Sequence, residues 1–123
     1  MAYSITPEND GKYIIIKVTG TLLREDAMQM VTEAFERGAE LGIKRYLMDL
    51  TEAIHSWGTL ADYSFVRDDL PKHSKFNRSA RTAVLVAPED TSHDFIITVA
   101  VNSGLVVRLF RDREQAIAFV AGN

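Results

Sequence analysis

Apolar residues in this chain follow two patterns, short extended runs and longer repeats with helical spacing. The extended runs, rich in β-branched and aromatic residues, predict five strands, over residues 3–6, 12–19, 45–50, 82–87 and 105–110. The helical repeats predict helices over residues 24–41 and 59–70, a third helix that starts after Thr91 and closes at 102–104, and a fourth after Asp112.

The ends of these elements carry residues that start and stop helices and turns. Gly42 and Pro71 predict the ends of the first two helices. Three pairs of polar residues predict helix starts: Thr59 with Asp62, Thr91 with Asp94, and Asp112 with Gln115. The second helix is expected to bury Leu60, Tyr63, Val66 and Leu70.

The order β-β-α-β-α-β-α-β-α predicts an α/β fold. Strands that alternate with helices form parallel sheets through right-handed crossovers. Residues 7–11 have the composition of a turn, so the first two strands should pair antiparallel. The run 45–50 is apolar on both faces until Asp49, which predicts a central strand. We expect a single domain, residues 1–123, with one mixed, mostly parallel five-stranded sheet and about four helices.

Composition narrows the class of protein without naming an activity. Of the 123 residues, 46% are hydrophobic and 25% charged, which is usual for a soluble globular domain. The chain has no cysteine, which excludes disulfides, thiolate metal sites and cysteine nucleophiles. No apolar run approaches the roughly 18 residues of a membrane span, and the N-terminus lacks a signal-peptide core. A cytoplasmic location is therefore expected.

The net charge of −3 conceals a basic segment. Residues 67–81 contain five basic and two acidic side chains, a local charge of +3. Such a segment is either a solvated loop or a surface for a phosphate backbone or an anionic lipid head group. Phe76 is its only aromatic residue, which is too few for a base-stacking surface. Nucleic acid is therefore not an expected partner.

Candidate chemistry concentrates between the central strand and the second helix, because ligands of open α/β sheets gather at the carboxyl ends of parallel strands. The candidate residues of this segment are Asp49, Thr51, His55, Ser56 and Trp57, the only tryptophan. A phosphate on Ser56 would lie near a helix N-terminus, which favours negative charge. The alternative is that Asp49 and Thr51 satisfy backbone groups while Trp57 is a packing anchor.

Residue patterns typical of other kinds of site are missing. His55, His73 and His93 lie in separate loops or helix starts, without metal-ligand spacing. The chain has no G-x-S-x-G turn, Walker loop or G-x-G-x-x-G turn. We therefore expect no catalytic residues, no metal and no cofactor, and a protein that is not an enzyme.

A family resemblance is carried by the segments 16–20 (IKVTG), 24–27 (REDA), 46–50 (YLMDL), 79–84 (SARTAV) and 107–116 (VRLFRDREQA). Together they resemble SpoIIAA-like proteins, a bacterial branch related to STAS domains (sulfate transporter and anti-sigma-factor antagonist) and to lipid-binding SEC14-type domains. The resemblance implies a five-stranded sheet flanked by four helices. It also implies a phosphorylated serine at the start of the helix after the central strand, and Ser56 is the nearest counterpart.

Two functions are left open. The first is a regulatory domain that binds a protein partner, or a second copy of itself as a homodimer, around the second helix and the loop before it. The second is a carrier for a small apolar or anionic ligand between the sheet and residues 60–80, with Arg78 or Arg81 at the anionic end. Aromatic residues available to line such a site are Trp57, Tyr63, Phe65 and Phe76. A cavity beneath residues 57–78 would favour the carrier.

Overall fold

The fold has five strands and four helices, and the computed structural model describes residues 1–8 and 10–122. The strands are β1 (Ala2–Pro7), β2 (Ile14–Leu22), β3 (Arg45–His55), β4 (Arg81–Leu85) and β5 (Val106–Phe110). The helices are α1 (Arg24–Leu41), α2 (Thr59–Ser64), α3 (Asp94–Asn102) and α4 (Arg113–Ala121). After α2 come a π-helical turn, Phe65–Asp69, and a 3₁₀ turn, Leu70–Lys72. Residues 59–72 are called the α2 arm below.

The strands form one sheet in the order β1-β2-β3-β4-β5, with β3 in the centre. β1 pairs with β2 antiparallel and all other neighbours pair parallel, which confirms the predicted mixed sheet. Every parallel connection moves to the next strand in the same direction. Right-handed crossovers therefore bring α1, the α2 arm and α3 to one face, the three-helix face. α4 covers the opposite one, the α4 face.

Each face of the sheet has its own hydrophobic core, as the alternation of side chains along β2 requires. Ile14, Ile16 and Val18 are buried on the three-helix face. On the α4 face, Tyr13 packs in a smaller cluster that includes Val120 of α4. The chain thus buries both faces of its sheet, as parallel sheets do.

Two helix ends agree with the sequence. α1 spans Arg24–Leu41, and Gly42 follows it with a φ of 68°, the left-handed conformation that glycine adopts without strain. Before α4, the Asp112 side chain accepts a hydrogen bond from the Glu114 backbone N–H, so Asp112 is the predicted cap. Local sequence decides both ends.

The predicted capping pairs of α2 and α3 are wrong. Gly58 and His93 are the N-cap residues of these helices, rather than Thr59 and Thr91. The Asp62 side chain is buried and faces the protein interior, where a hydrogen bond replaces its expected role at the helix start. Asp62 therefore pairs with His55 rather than with the backbone at the start of α2.

The predicted buried side of the second helix is also wrong in part. Leu60 is 78% exposed and Tyr63 is 49% exposed, whereas Phe65 and Val66 are buried. Because Asp62 faces inward, its neighbours on the outer side of α2 face solvent. Pro71 does not end the helical segment, since it lies in the first turn of the 3₁₀ helix, where no N–H is needed.

β3 is longer than predicted and contains a β-bulge. From Lys17 to Thr19 β2 advances two residues, while β3 advances three, from Asp49 to Glu52. The extra residue reverses the alternation of the side chains that follow it. His55 consequently points to the three-helix face, whereas an unbroken strand would place it on the same face as Asp49.

The Asp49 side chain holds the bulge together. One carboxylate oxygen accepts hydrogen bonds from the Thr51 backbone N–H, at 3.0 Å, and from the Thr51 hydroxyl, at 2.7 Å. The other oxygen lies 2.8 Å from the Arg113 guanidinium and 3.7 Å from Lys17 Nζ. Burial by itself would raise the pKa of Asp49, but the hydrogen bonds from Arg113 and Thr51 outweigh it and lower that pKa.

We expect Asp49→Ala to lower the free energy of unfolding by about 1–3 kcal/mol, because it leaves the Thr51 N–H of the bulge without its partner and removes the ion pair with the half-exposed Arg113. Asp49→Asn keeps an oxygen for Thr51 and should cost less. Since folding lowers the Asp49 pKa, its charge stabilises the fold above pH ~4, and the deficit of Asp49→Asn should shrink below that pH. Urea unfolding at several pH values measures both effects.

Glu52→Gln is the matched control, because Glu52 pairs with Lys17 at 2.8 Å but is largely exposed. Its loss should stay within about 0.5 kcal/mol. An Asp49→Ala protein as stable as Glu52→Gln would show that the bulge does not depend on Asp49.

Candidate functional site

A cavity of about 160 Å³ lies between the three-helix face of the sheet and the helices that cover it. Apolar side chains from all the surrounding elements line it, among them Met30 and Phe35 of α1, Leu50 and Val84 of the sheet, and Ala100 of α3. The cavity lies beneath the α2 arm, where the sequence left a carrier site open. Protein interiors contain few voids larger than a water molecule, so a cavity of this size is a feature to explain.

The polar residues that line the cavity are His55, Asn77, Thr82 and His93. The two histidines are the most deeply buried, with side chains 2% and 1% exposed. Their ring centroids are 5.7 Å apart. The bulge in β3 turns His55 toward the cavity, and His93 is placed there by its position immediately before α3. Two remote parts of the chain thus form one histidine pair.

His55 is held by residues on either side of it in sequence. Its Nε2 lies 2.5 Å from the buried carboxylate of Asp62. The Trp57 ring packs against the imidazole, with 4.4 Å between centroids, and the Trp57 Nε1–H donates to the Leu22 carbonyl at 2.8 Å. The His55 backbone N–H donates to the Ser92 hydroxyl. These contacts connect β2, β3 and the α2 arm around one ring.

His93 is held by its Nε2 atom. This atom lies 3.2 Å from the Ala53 carbonyl oxygen and 3.3 Å from an Asp90 carboxylate oxygen. Burial lowers the pKa of His93, and the opposing effects of the Ala53 carbonyl and Asp90 do not cancel it. The ring is therefore neutral at pH 7, with its proton on Nε2, because a carbonyl oxygen accepts hydrogen bonds but does not donate them.

The remaining ring nitrogens have no hydrogen-bond partner within the described part of the chain. Nδ1 of His55 and Nδ1 of His93 are both buried and unpaired. Buried polar atoms of proteins are nearly always hydrogen-bonded, and an unpaired one costs about 1–3 kcal/mol. Both nitrogens belong to residues that line the cavity, although neither atom has accessible surface there.

A second hollow, of about 230 Å³, adjoins the cavity and is more polar. It shares Val66, Phe76 and Leu105 with the cavity and adds the guanidinium groups of Arg67 and Arg78. Arg78 donates to the Ser103 carbonyl at 3.1 Å, and both arginines are exposed. The basic segment therefore forms a cationic rim next to an apolar interior.

The structure brings three of the sequence-predicted residues, His55, Trp57 and Phe76, into the lining of the cavity, together with Phe65. Tyr63, expected among these aromatic residues, lies outside, with the Arg67 guanidinium 5.7 Å from its ring. Ser56 is exposed between β3 and α2. Residues of the predicted site thus separate into a buried group and a surface group.

The other predicted residues face away from the cavity. Asp49 and Thr51 form the clamp of the bulge, which agrees with the alternative that they satisfy backbone groups. Arg81 donates to the Phe119 carbonyl and packs over the Phe119 ring at 4.9 Å, on the α4 face. Arg81 therefore does not reach the cavity, whereas Arg78 lies at its neighbouring hollow.

Comparison with known proteins identifies the fold. No protein-family model matches the chain, and no curated protein matches it significantly. A structure of an uncharacterized protein of the DUF3478 family with a SpoIIAA-like fold, from Shewanella loihica PV-4, matches with TM-score 0.55 and 24% identity, over 97% of this chain and 92% of that chain. The anti-sigma factor antagonist SpoIIAA in its unphosphorylated form matches with TM-score 0.58 and 18% identity, over 99% and 98%.

The chain has a SpoIIAA-like fold. This confirms the resemblance drawn from the sequence and its five-stranded sheet with four helices. None of the helices that the structure describes is long and apolar enough to cross a membrane. Within the same residues, no three histidine or acidic side chains converge on a metal position.

Sequence reasoning missed His93 and Asp62 as site residues. His93 was interpreted as a residue without metal-ligand spacing, and Asp62 as part of a helix cap. The available signal was an acidic residue seven positions after a histidine, with a helix start between them. That signal is weak, because the bulge that turns His55 inward leaves no clear mark in the sequence.

We expect the stability of the protein to fall on acidification below pH ~6.5 because of His93. Since folding lowers its pKa, the unfolded chain binds the proton first, which favours unfolding by up to about 1.4 kcal/mol per pH unit. His93→Gln should remove this component. Two groups near the ring, Asp90 and His55, also affect the pKa of His93. Urea unfolding between pH 5 and 7 measures the slope.

Lys75→Gln is the control for this experiment, because it removes a charge at an exposed position outside the cavity. Its pH slope should match that of the wild type. Equal slopes for the wild type and His93→Gln would contradict a neutral, buried His93.

Proposed function

We propose that this protein is a binding domain without catalytic activity, whose cavity takes up a small apolar molecule. The observation that supports this most directly is the volume of about 160 Å³ between the sheet and three helical elements. An engineered apolar cavity of about 150 Å³ stays dry and binds benzene. A one-ring hydrocarbon is therefore the size of ligand that this cavity suits.

Contacts with neighbouring residues hold aromatic side chains of the cavity lining in place, and this favours a cavity that stays open without a ligand. Trp57 is fixed against His55 by stacking and by its hydrogen bond to the Leu22 carbonyl. Elsewhere in the lining, Phe76 meets Phe35 edge to face, with 5.7 Å between ring centroids. A pocket that is already formed loses less conformational entropy when a ligand enters.

We expect toluene to bind with a Kd on the order of 0.1–1 mM, because it gains contacts with the apolar lining of the cavity. Trp57 is the only tryptophan and lines the cavity, so its fluorescence reports the binding directly. Ala100→Leu places a larger side chain in the cavity and should weaken toluene binding at least tenfold. The free energy of unfolding of Ala100→Leu should change little if the leucine fills existing space.

Ala39→Leu is the matched control, since it adds the same side chain on the exposed face of α1. It should leave the toluene affinity within twofold of the wild type. Toluene binding that survives in Ala100→Leu, or is missing from the wild type, would contradict the proposed function.

Protein binding through the outer side of α2 is a second candidate function. Leu60 and Tyr63 are large, exposed and one helical turn apart, although apolar side chains of this size are usually buried. One structural neighbour is an anti-sigma factor antagonist, a protein that acts on another protein. We propose self-association as the form of this interaction to test first. Phosphorylation of the exposed Ser56 and a cytoplasmic location stay predictions.

Sedimentation at increasing concentration tests the second candidate. The wild type should self-associate, and Leu60→Lys should weaken the association at least tenfold because it places a charge in the contact. Leu41→Lys changes an exposed leucine at the far end of α1 and should have no effect. Ser56→Asp should weaken the contact relative to Ser56→Ala. A monomeric wild type contradicts self-association, and equal behaviour of the two Ser56 variants contradicts the phosphorylation switch.

A further inference from the structure

We propose that the second hollow, which adjoins the cavity, is a separate binding site for a small organic anion held by the guanidinium groups of Arg67 and Arg78. The hollow has a volume of about 230 Å³. Three apolar and three polar residues line it: Val66, Phe76, Leu105, Arg67, Arg78 and Ser103. None of these six residues is acidic, so both charges of the lining are positive.

Ser103, the residue that ends α3, brings the two guanidinium groups to one place. Arg78 Nη1 donates a hydrogen bond to the Ser103 carbonyl oxygen at 3.1 Å. Arg67 Nη1 donates to the hydroxyl of the same residue at 3.4 Å. Arg67 belongs to the α2 arm and Arg78 to the segment before β4, so their meeting at Ser103 is a product of the tertiary structure.

Both guanidinium groups keep hydrogen-bonding capacity for a ligand. A guanidinium has several N–H donors, and each of these two makes one hydrogen bond, to Ser103. Among the described residues, neither group lies within 4.0 Å of a carboxylate, whereas Arg24 pairs with Asp69 at 2.6 Å. Both arginines are exposed, so an anion can reach the N–H groups that remain.

Aromatic rings limit the movement of the two cations. Arg67 Cζ lies 5.7 Å from the centroid of the Tyr63 ring, and Arg78 Cζ lies 5.7 Å from the centroid of the Phe76 ring. Such contacts attract a cation to the face of the ring. A guanidinium that is already held by a ring and a hydrogen bond loses less conformational entropy when an anion binds.

The lining indicates an oxyanion attached to an apolar body. Carboxylate and phosphate groups accept paired hydrogen bonds from the planar fork of a guanidinium. An inorganic anion would gain nothing from the apolar side chains of Val66, Phe76 and Leu105, which one small ring can cover. A neutral molecule would gain nothing from the two charges. The ligand class is therefore a small carboxylate or phosphate ester with an apolar group.

Probes that differ in one property test this class on the wild-type protein. Benzoate has a ring and a charge, benzamide has the ring without the charge, and acetate has the charge without the ring. We expect a Kd for benzoate on the order of 1 mM and affinities at least tenfold weaker for benzamide and acetate. Phenyl phosphate, compared with benzoate, identifies the preferred oxyanion. Equal binding of benzoate and benzamide would show that the two arginines serve only the end of α3, and would overturn the proposal.

The Nε–Hε resonances of Arg67 and Arg78 in ¹H–¹⁵N spectra at low salt report the binding at the proposed groups. Both resonances should shift with benzoate and stay in place with benzamide. The resonance of Arg37, on α1, should not shift with either probe. This measurement needs no variant, so it holds if a substitution prevents folding. Unshifted resonances of Arg67 and Arg78 at 20 mM benzoate, about 20 times the expected Kd, contradict the site.

Arg78→Gln removes one cation of the hollow and should weaken benzoate binding at least fivefold, while benzamide affinity stays within twofold. Lys75→Gln is the matched control, because it makes the same change of charge in the same basic segment but outside the hollow. It should leave benzoate affinity within twofold of the wild type. Equal losses in the two variants would show a general attraction to the basic segment instead of a site in the hollow.

Ala100→Leu separates this site from the cavity, since Ala100 lines the cavity and not the hollow. Benzoate should bind this variant as it binds the wild type. A tenfold loss would place benzoate in the cavity and overturn the anion site. If benzoate binds as expected and toluene does not bind, only the proposed function is wrong. If toluene binds and benzoate does not, only the anion site is wrong.

Discussion

The carboxylate of Asp49 is the group on which the candidate site depends. It pairs with the Thr51 N–H of the bulge on one side and with Arg113, 64 residues away, on the other. A bulge leaves a backbone donor without its partner in the sheet, and a buried carboxylate supplies that partner. Because the bulge reverses the alternation along β3, this contact on the α4 face determines that His55 lies on the three-helix face.

The two faces of the sheet have different physical roles. The α4 face has a small apolar cluster. Beside it, Arg81 donates a hydrogen bond to the Phe119 carbonyl, and Asp49 accepts one from Arg113. The three-helix face is larger and contains a cavity with a buried histidine pair. Unfilled volume and unpaired nitrogens both cost stability, by lost dispersion contacts and by lost hydrogen bonds. Both costs fall on the three-helix face, and this supports the proposal that a ligand binds there.

Much of the fold could be predicted from the sequence, and little of the site. α1 and its end at Gly42 follow from helical spacing and from a left-handed glycine, which are local features. The second helix was predicted, but its predicted buried side was wrong in part, because the hydrogen bond between His55 and Asp62 orients α2. Sequence reasoning selected His55 and Trp57 and missed His93, whose hydrogen-bond partner, the Ala53 carbonyl, is 40 residues away.

The sequence by itself determined the order of strands and helices, the mixed sheet and the central place of β3, because hydrophobic periodicity and turn residues act over a few positions. Only the tertiary structure decided which face His55 occupies, which atom Asp62 binds and where the chain leaves a cavity. Those outcomes depend on the register between β2 and β3 and on contacts between remote residues. A one-residue change in register moves every later side chain to the other face, and no local pattern records that choice.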